Sequence, residues 1–406
     1  MRALAKISLR AMHGTILCAL ALGAALFSAT ATAAPKVTGL THGLHQERVR
    51  IILSISEEPA FALFTLNDPD RLILDLPAFD WQLPESQEAE PIPYISALRH
   101  GLFRRDRARI VMDLDRPLVV ERAFSKPVRG SEPARLVIDL APTSRQYFDD
   151  RAGWPENARW RETFPDDASQ SARDGIVVAI DPGHGGIDPG ATAGRLLEKT
   201  IVLAFSRRLA KELETRDGFK AYLTRDEDVF VPLSERVARA HRAGANMLIS
   251  VHADAVESGI ANGLSVYTLS EKGSDEAAEA LAARENRSDV IAGADLGGET
   301  DDLTRLLVEL AQRGTKVESQ KLASAVLGAL GDDLELLRTR PMRQANFRVL
   351  KAPDIPSILL ELGFLNSVRD QKRLVDPEWQ AAAARAVSDG IVEWSRTASP
   401  GFLTDK

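Results

Sequence analysis

The chain has 406 residues, enough for two domains with cores of their own, and a formal net charge of −7. No basic stripe interrupts the acidic balance, which argues against nucleic acid as a partner. The single cysteine, Cys18, lies in an apolar stretch near the start; the rest of the chain can form no disulfide, and any zinc it holds must sit on histidine and carboxylates.

Arg2, Lys6 and Arg10 make a basic start, and residues 14–29 are apolar but short and rich in small side chains. Ala31-Thr32-Ala33 then forms a small-residue cleavage site. This pattern predicts a secretory signal peptide over residues 1–33. No later apolar run approaches the ~18 residues that a membrane helix needs, so no span is expected after cleavage.

Residues 36–142 read as a small β-sandwich. Arg48–Ser54, Ala60–Leu66, Arg71–Leu76, Ala108–Leu114, Leu118–Ala123 and Ala134–Leu140 are short alternating runs between turn residues. One phrase, an arginine followed by alternating apolar residues and Asp-Leu, recurs three times and ends at Leu76, Leu114 and Leu140. It reads as three similar strands with apolar residues inward. Residues 143–174 carry prolines and charges without a sustained period and read as a linker, with Trp154 and Trp160 expected to dock on a neighbouring domain.

From Gly175 the pattern changes. Ile176–Ile180, Lys220–Thr224, Asn246–Val251, Gly263–Leu269 and Ile355–Leu360 read as strands; residues 197–216, 232–243, 316–330 and 378–394 read as helices. Such alternation predicts an α/β fold, a mostly parallel sheet with helices on both faces, over residues 175–396. Ligands in such sheets bind beyond the carboxyl ends of the strands. His184, His252 and Glu361 each closely follow or end an apolar strand, and Glu198 opens the first helix. The tail, 397–406, is expected to be disordered.

Those residues sit in short motifs: Asp181-Pro182-Gly183-His184-Gly185-Gly186, Leu197-Glu198-Lys199, Ile249-Ser250-Val251-His252-Ala253-Asp254 and Leu359-Leu360-Glu361-Leu362-Gly363-Phe364. Two imidazoles and one carboxylate leave a tetrahedral position of Zn²⁺ open, the ligand set of a catalytic site. A second carboxylate can shuttle the proton of a water there. Glu361, flanked by leucines and Phe364, is expected to be desolvated with a raised pKa, which suits acid–base work. The glycines around His184 are expected to leave room for a bulky polymer. Arg225 and Arg236 could bind substrate carboxylates or form structural ion pairs.

On the phrases DPGHGGIDPGA, LLEKTIVL, YLTRDEDVFVPLSERVARA, LISVHADA and LKAPDIPSILLELGFLNS, the back region closely resembles the zinc-dependent N-acetylmuramoyl-L-alanine amidases of the Amidase_3 class. The front region resembles the AMIN targeting domain. Together they look like the periplasmic, division-associated amidases of Gram-negative bacteria. The resemblance implies zinc ligands at His184, Glu198 and His252 and a catalytic glutamate at Glu361. It also implies a substrate, peptidoglycan, cut between N-acetylmuramic acid and the L-alanine of the stem peptide.

Residues 271–314 do not fit a minimal hydrolase. Residues 274–287 are strong helix formers with a thin apolar stripe, and Asp301–Arg313 carries a clearer leucine stripe beyond Gly293, Gly297 and Gly298. The bland reading is surface padding. The resemblance implies an inserted helix that blocks the zinc cleft until an activator of the LytM type binds. Glu285 is the expected donor to the open zinc position, with Glu299 and Glu309 in reserve. Two other classes stay open: a silent peptidoglycan-binding protein and a zinc peptidase on the same polymer. No symmetry or coiled-coil signal suggests an oligomer, so a monomer at the division site of the periplasm is expected.

Overall fold

The structure, a computed structural model, describes residues 35–403 except 85–86, 88–89, 129, 131, 154–174, 256–261, 295–301, 332–333, 335 and 338, and it leaves out the side chains of 302–313 and 400. The expected signal peptide, Trp154, Trp160, Glu299 and the side chain of Glu309 lie outside the described residues.

The front region holds β1 (Lys36–His45), β2 (Arg48–Ile55), β3 (Ala62–Leu66), β4 (Arg71–Pro77), β5 (Asp80–Trp81), β6 (Ile95–Arg104), β7 (Arg107–Leu114), β8 (Leu118–Lys126) and β9 (Ala134–Pro142). They form one sheet in the order β5-β1-β2-β9-β8 and another in the order β3-β4-β7-β6. The alternation of side chains along a strand turns Leu72, Leu74, Leu76, Ile110 and Met112 of one sheet onto Ile51, Leu53, Leu136 and Ile138 of the other. β1 and β6 were not legible from patterning. Gly39, Gly43 and Gly101 interrupt their β-branched character, and pairing with β2 and β7 supplies their order. A short helix, α1 (Arg145–Asp149), opens the expected linker; Ser144 caps it through the Tyr147 amide at 3.2 Å, and Phe148 is buried on the sandwich core.

The outer face of the β4–β7 sheet, where polar residues facing water would be ordinary for an antiparallel sheet, is also buried. Ile73, Val111, Phe64, Leu66 and Phe103 form a cluster with Ile187, Phe230, Ala292 and Ala294 from the back region. The rings of Phe103 and Phe230 stack at 5.8 Å, and the Phe230 amide donates to the Leu102 carbonyl at 3.1 Å. From Pro35 onward the chain is one compact unit.

The back region contains β10 (Ile176–Pro182), a small hairpin of β11 (Thr192–Ala193) and β12 (Leu196–Leu197), α2 (Glu198–Glu214), β13 (Phe219–Leu223), α3 (Leu233–Arg242), β14 (Met247–His252) and β15 (Ser265–Leu269). There follow α4 (Glu276–Glu285), α5 (Ser288–Ile291), α6 (Asp302–Leu330), β16 (Met342–Ala345), β17 (Ser357–Glu361), α7 (Val368–Leu374) and α8 (Pro377–Thr397). The sheet order is β13-β10-β14-β17-β15-β16. β13, β10, β14 and β17 run parallel, and β15 is antiparallel to β17. Phe205, Leu209, Leu322, Val326, Val387, Ile391 and Trp394 bring α2, α6 and α8 onto one face. Leu233, Ala278, Leu281 and Phe347 pack against Tyr267 and Leu359 in a separate cluster.

Two expectations are corrected. The helical stretches expected over 301–313 and 316–330 fall, from Asp302 onward, in one helix, α6 (Asp302–Leu330), and Gly314 does not end it. A single interior glycine costs only about 1 kcal/mol, which the packing of Leu322, Ala323 and Val326 in the core offsets. The tail does not leave the fold at residue 397: Phe402 and Leu403 pack against the core, and the Asn246 side chain donates to the Phe402 carbonyl at 3.0 Å.

The two regions meet most tightly at Gly101, where an added Cβ would lie 2.4 Å from the backbone of Gly186. Gly101→Val is expected to destabilise the chain by about 2 kcal/mol, read as a lower denaturant midpoint. An unchanged midpoint would mean that the sandwich does not sit on the Gly186 loop in solution.

Candidate metal centre

The carboxyl ends of β10, β14 and β17 lie side by side. His252 ends β14 and is paired in register with Glu361, which ends β17. His184 follows β10 in a loop where its own φ is +57°, a left-handed conformation that costs a bulky residue on the order of 1 kcal/mol. Two buried guanidiniums hold that loop. Arg236 pairs with Asp181 at 2.9 Å and donates to the carbonyls of Pro182 and His184, both at 2.7 Å. Arg225 donates to the carbonyls of Pro182 at 2.9 Å and Gly183 at 2.8 Å. Each is 1% exposed. Arg225 also donates to the Glu227 and Lys199 carbonyls and Arg236 to the Val231 carbonyl, so the contacts of both arginines match the structural alternative.

The structure brings His184, Glu198, His252 and Glu285 together. Glu198 Oε1 lies 3.2 Å from His184 Nε2 and 3.1 Å from His252 Nδ1. Glu285 Oε2 lies 3.3 Å and 3.0 Å from the same two nitrogens. His184, His252 and Glu285 each offer a ligand atom within 4.8 Å of the others. The glycines make room for this cluster rather than for a polymer, contrary to expectation. A Cβ at Gly183 would meet the His252 ring at 2.4 Å, and one at Gly190 would meet Glu198 Oε2 at 2.6 Å.

Asp188, which the motif analysis did not single out, accepts from His184 Nδ1 at 2.9 Å. The i,i+4 spacing of His184 and Asp188 in GHGGID was the only signal. With the ring proton fixed on Nδ1, the Nε2 lone pair faces the carboxylates, as in a metal-ligating histidine oriented by an acid. Among the described residues, that Nε2 is buried without a hydrogen-bond partner, as are Glu285 Oε1 and Glu361 Oε1. Bonds of about 2.0–2.1 Å place the ligands of tetrahedral Zn²⁺ about 3.3 Å apart, close to the four contacts above. The donor set and its spacing fit such an ion.

Charge accumulates here in a buried space. Burial pulls the His184 imidazole down, but Glu198, Asp188 and Glu285 outweigh it and hold its pKa well above the usual value. Burial likewise opposes protonation of His252, which Glu285 and Glu198 carry up to about 10. Glu361 is fully buried, and burial pushes its carboxyl well above the usual range, with Asp254, Glu198 and Glu285 adding to the rise against His252. Its Oε2 accepts from the Asp254 amide at 3.2 Å.

Glu285 arrives on α4, whose N-terminus is capped by Asp275 through the Ala278 amide at 2.9 Å. Ala278, Leu281 and Ala282 seat that helix on Tyr267, Phe347 and Leu359. At its other end Arg284 pairs with Asp254 through Nε at 2.9 Å. Asn286 bridges to the Asn346 carbonyl and the Arg348 amide, both at 2.7 Å. Ser288 then bonds to Asp188, the acid behind His184.

The family model for N-acetylmuramoyl-L-alanine amidase matches residues 178–393, and that for the AMIN domain matches residues 43–140. The chain belongs to the N-acetylmuramoyl-L-alanine amidase family. It is 32% identical to the N-acetylmuramoyl-L-alanine amidase AmiC of Escherichia coli O6:H1, over 84% of this chain and 85% of that protein. It is 33% identical to the protein of the same name from Neisseria meningitidis serogroup B, over 90% of this chain and 91% of that one. Among solved structures, AmiC2 of Nostoc punctiforme is 30% identical over 54% of this chain and 97% of that chain, with a TM-score of 0.41. The amidase thus joins an AMIN domain to an Amidase_3 domain.

Replacing either imidazole of the amidase removes one of the buried nitrogens facing Glu198 and Glu285. His184→Ala and His252→Ala are each expected to lower bound zinc from about one equivalent to under a tenth, read by elemental mass spectrometry of the purified protein. Retention of full zinc by both variants would show that these nitrogens are not the ligands.

Proposed function

We propose that this amidase is a zinc-dependent peptidoglycan hydrolase in a resting state, with Glu285 occupying the coordination position that substrate chemistry needs. The observation that carries the reading is the convergence of two carboxylates, Glu198 and Glu285, on the same two imidazole nitrogens at 3.0–3.3 Å. A catalytic zinc site keeps one position open; here a side chain from the insertion fills the space beside the three expected ligands. The site is also buried: His184 is 7% and His252 5% exposed.

His184, Glu198 and His252 would hold the ion. When bound, Zn²⁺ supplies a Lewis acid that acidifies water and polarises a carbonyl. Asp188 keeps His184 in the tautomer that presents Nε2. Arg225 and Arg236 keep the His184 loop in place. Glu361, with one oxygen held by the Asp254 amide and the other without a hydrogen-bond partner among the described residues, takes the proton from the attacking water and returns it to the nitrogen of the departing L-alanine. A carboxyl held well above its usual range by burial is suited to both transfers.

The signal-peptide pattern and the AMIN match support work in the periplasm on the cell wall, with the AMIN domain as the targeting module. We assign a monomer at the division site, released from its resting state by a LytM-type activator at the insertion. A peptidase acting on the same polymer differs in its product, a shortened stem peptide in place of a free glycan.

Glu361→Gln is expected to keep its zinc and lose about 100-fold or more in release of dye-labelled fragments from sacculi. Full activity would remove Glu361 from the chemistry. Glu285→Ala is expected to raise basal release severalfold in the mature chain, with mass analysis showing free L-alanine amino termini on the released peptides. Unchanged release from a zinc-loaded Glu285→Ala protein would defeat the resting-state reading.

A further inference from the structure

The thrice-repeated phrase of the front region does something that its third copy does not. In β4 it places Arg71, Ile73 and Asp75 on one face, and in β7 it places Arg109, Val111 and Asp113 there. The strands are antiparallel, so Asp75 falls opposite Arg109, Ile73 opposite Val111 and Arg71 opposite Asp113. In β9 the equivalent Asp139 meets Arg50, whose side chain is 56% exposed. On β4 and β7 the face is covered, and part of the cover, beside Ile187 and Phe230, is the inserted segment that follows Glu285.

The contacts are polar and specific. Arg109 is fully buried; its Nε and Nη2 grip Asp75 at 2.6 and 2.7 Å, while Nη1 donates to the Gly293 carbonyl at 2.6 Å and the Ala292 carbonyl at 3.2 Å. Its guanidinium lies 3.6 Å over the Phe103 ring. Arg71 donates to the Val290 carbonyl and, at 3.1 Å, to Pro69. Val290, Ala292 and Gly293 lie at and just past the C-terminal end of α5, where cationic side chains can bond the last carbonyls; the Val290 carbonyl also accepts from the Gly293 amide at 3.0 Å. Gly293 has φ +61°, and a Cβ there would meet Ile73 Cδ1 at 2.7 Å. The same short segment reaches the metal loop through Ser288 on Asp188 and anchors α3 through Asp289 on the Leu233 amide at 2.9 Å.

We propose that the outer face of the AMIN sandwich is an intramolecular clasp: Arg71 and Arg109 hold residues 290–293 and so keep Glu285 seated at the metal face. The AMIN domain then sets the resting activity as well as the address of the enzyme. Arg71 and Arg109 are positioning residues that act through the insertion. The inference rests on the resting-state reading of Glu285, and its test separates the two.

Two substitutions open the clasp from opposite sides. Arg71→Ala leaves no orphaned acid, because Asp113 keeps Arg99 at 2.6 and 2.7 Å. Gly293→Val lies on the insertion, outside the sandwich core, and is strained both by φ and by Ile73. Each is made in the mature, zinc-loaded chain, with circular dichroism and thermal melting to show that it folds. Amide hydrogen exchange is followed by mass spectrometry over residues 276–294, alongside dye release from sacculi without an activator. Exchange over 276–294 is expected to speed by about tenfold or more, with β10, β14 and β17 unchanged and basal release raised severalfold. Unchanged exchange in folded variants overturns the clasp. Faster exchange with release still at its resting level, while Glu285→Ala is active, also overturns it. If Glu285→Ala itself stays silent, the resting-state reading fails, and the clasp falls with it as a control of activity.

Discussion

The rest of the structure answers to one electrostatic constraint: several acids and two imidazoles share one buried space. Asp188, Glu198, Asp254, Glu285 and Glu361 are all at most 4% exposed and surround His184 and His252. Buried charge is costly unless it is paired or coordinates a metal. The histidines answer part of that demand, with His252 carried to about pKa 10 by its acidic neighbours. A divalent cation between the imidazole nitrogens would answer it more completely, and the spacing of the donors suits one.

That constraint explains features that look unrelated. The left-handed backbone of His184 aims an imidazole at the cluster, and two arginines bind the carbonyls of its loop to keep it so. Gly183 and Gly190 are small because the His252 ring and the Glu198 carboxylate stand where a side chain would be. Arg284 offsets the charge of Asp254 next to Glu361. The insertion contributes both a carboxylate, Glu285, to the centre and a cation, Arg284, beside it.

The sandwich adds a mechanical layer. A sheet apolar on both faces ordinarily signals a strand buried between two layers, and β4 is such a strand although it lies in an antiparallel sheet. One face of β4 builds the sandwich core; the other carries an arginine and an aspartate into the interface with the insertion. A buried Arg–Asp pair is poor evidence of net stabilisation. Here the spare donors of Arg109 go to the closing carbonyls of α5, which gives the pair a specific partner on the other domain.

Much of the centre was legible in the chain itself. His184, Glu198, His252 and Glu361 stand at strand ends or at the first helical turn, and local period and punctuation are enough to place such positions at one edge of a parallel sheet. Glu285 came from family resemblance and could not be read from periodicity, since α4 has only a thin apolar stripe. The tertiary structure alone decided the roles of Arg225 and Arg236, because the same residues suit a substrate carboxylate or a backbone carbonyl until the loop around them is known. It alone joined 302–330 into one helix and drew Phe402 and Leu403 onto the core, since both depend on long-range packing. It alone showed what covers β4 and β7. A strand's alternation records that two faces differ, and carries no record of which distant segment will lie on each.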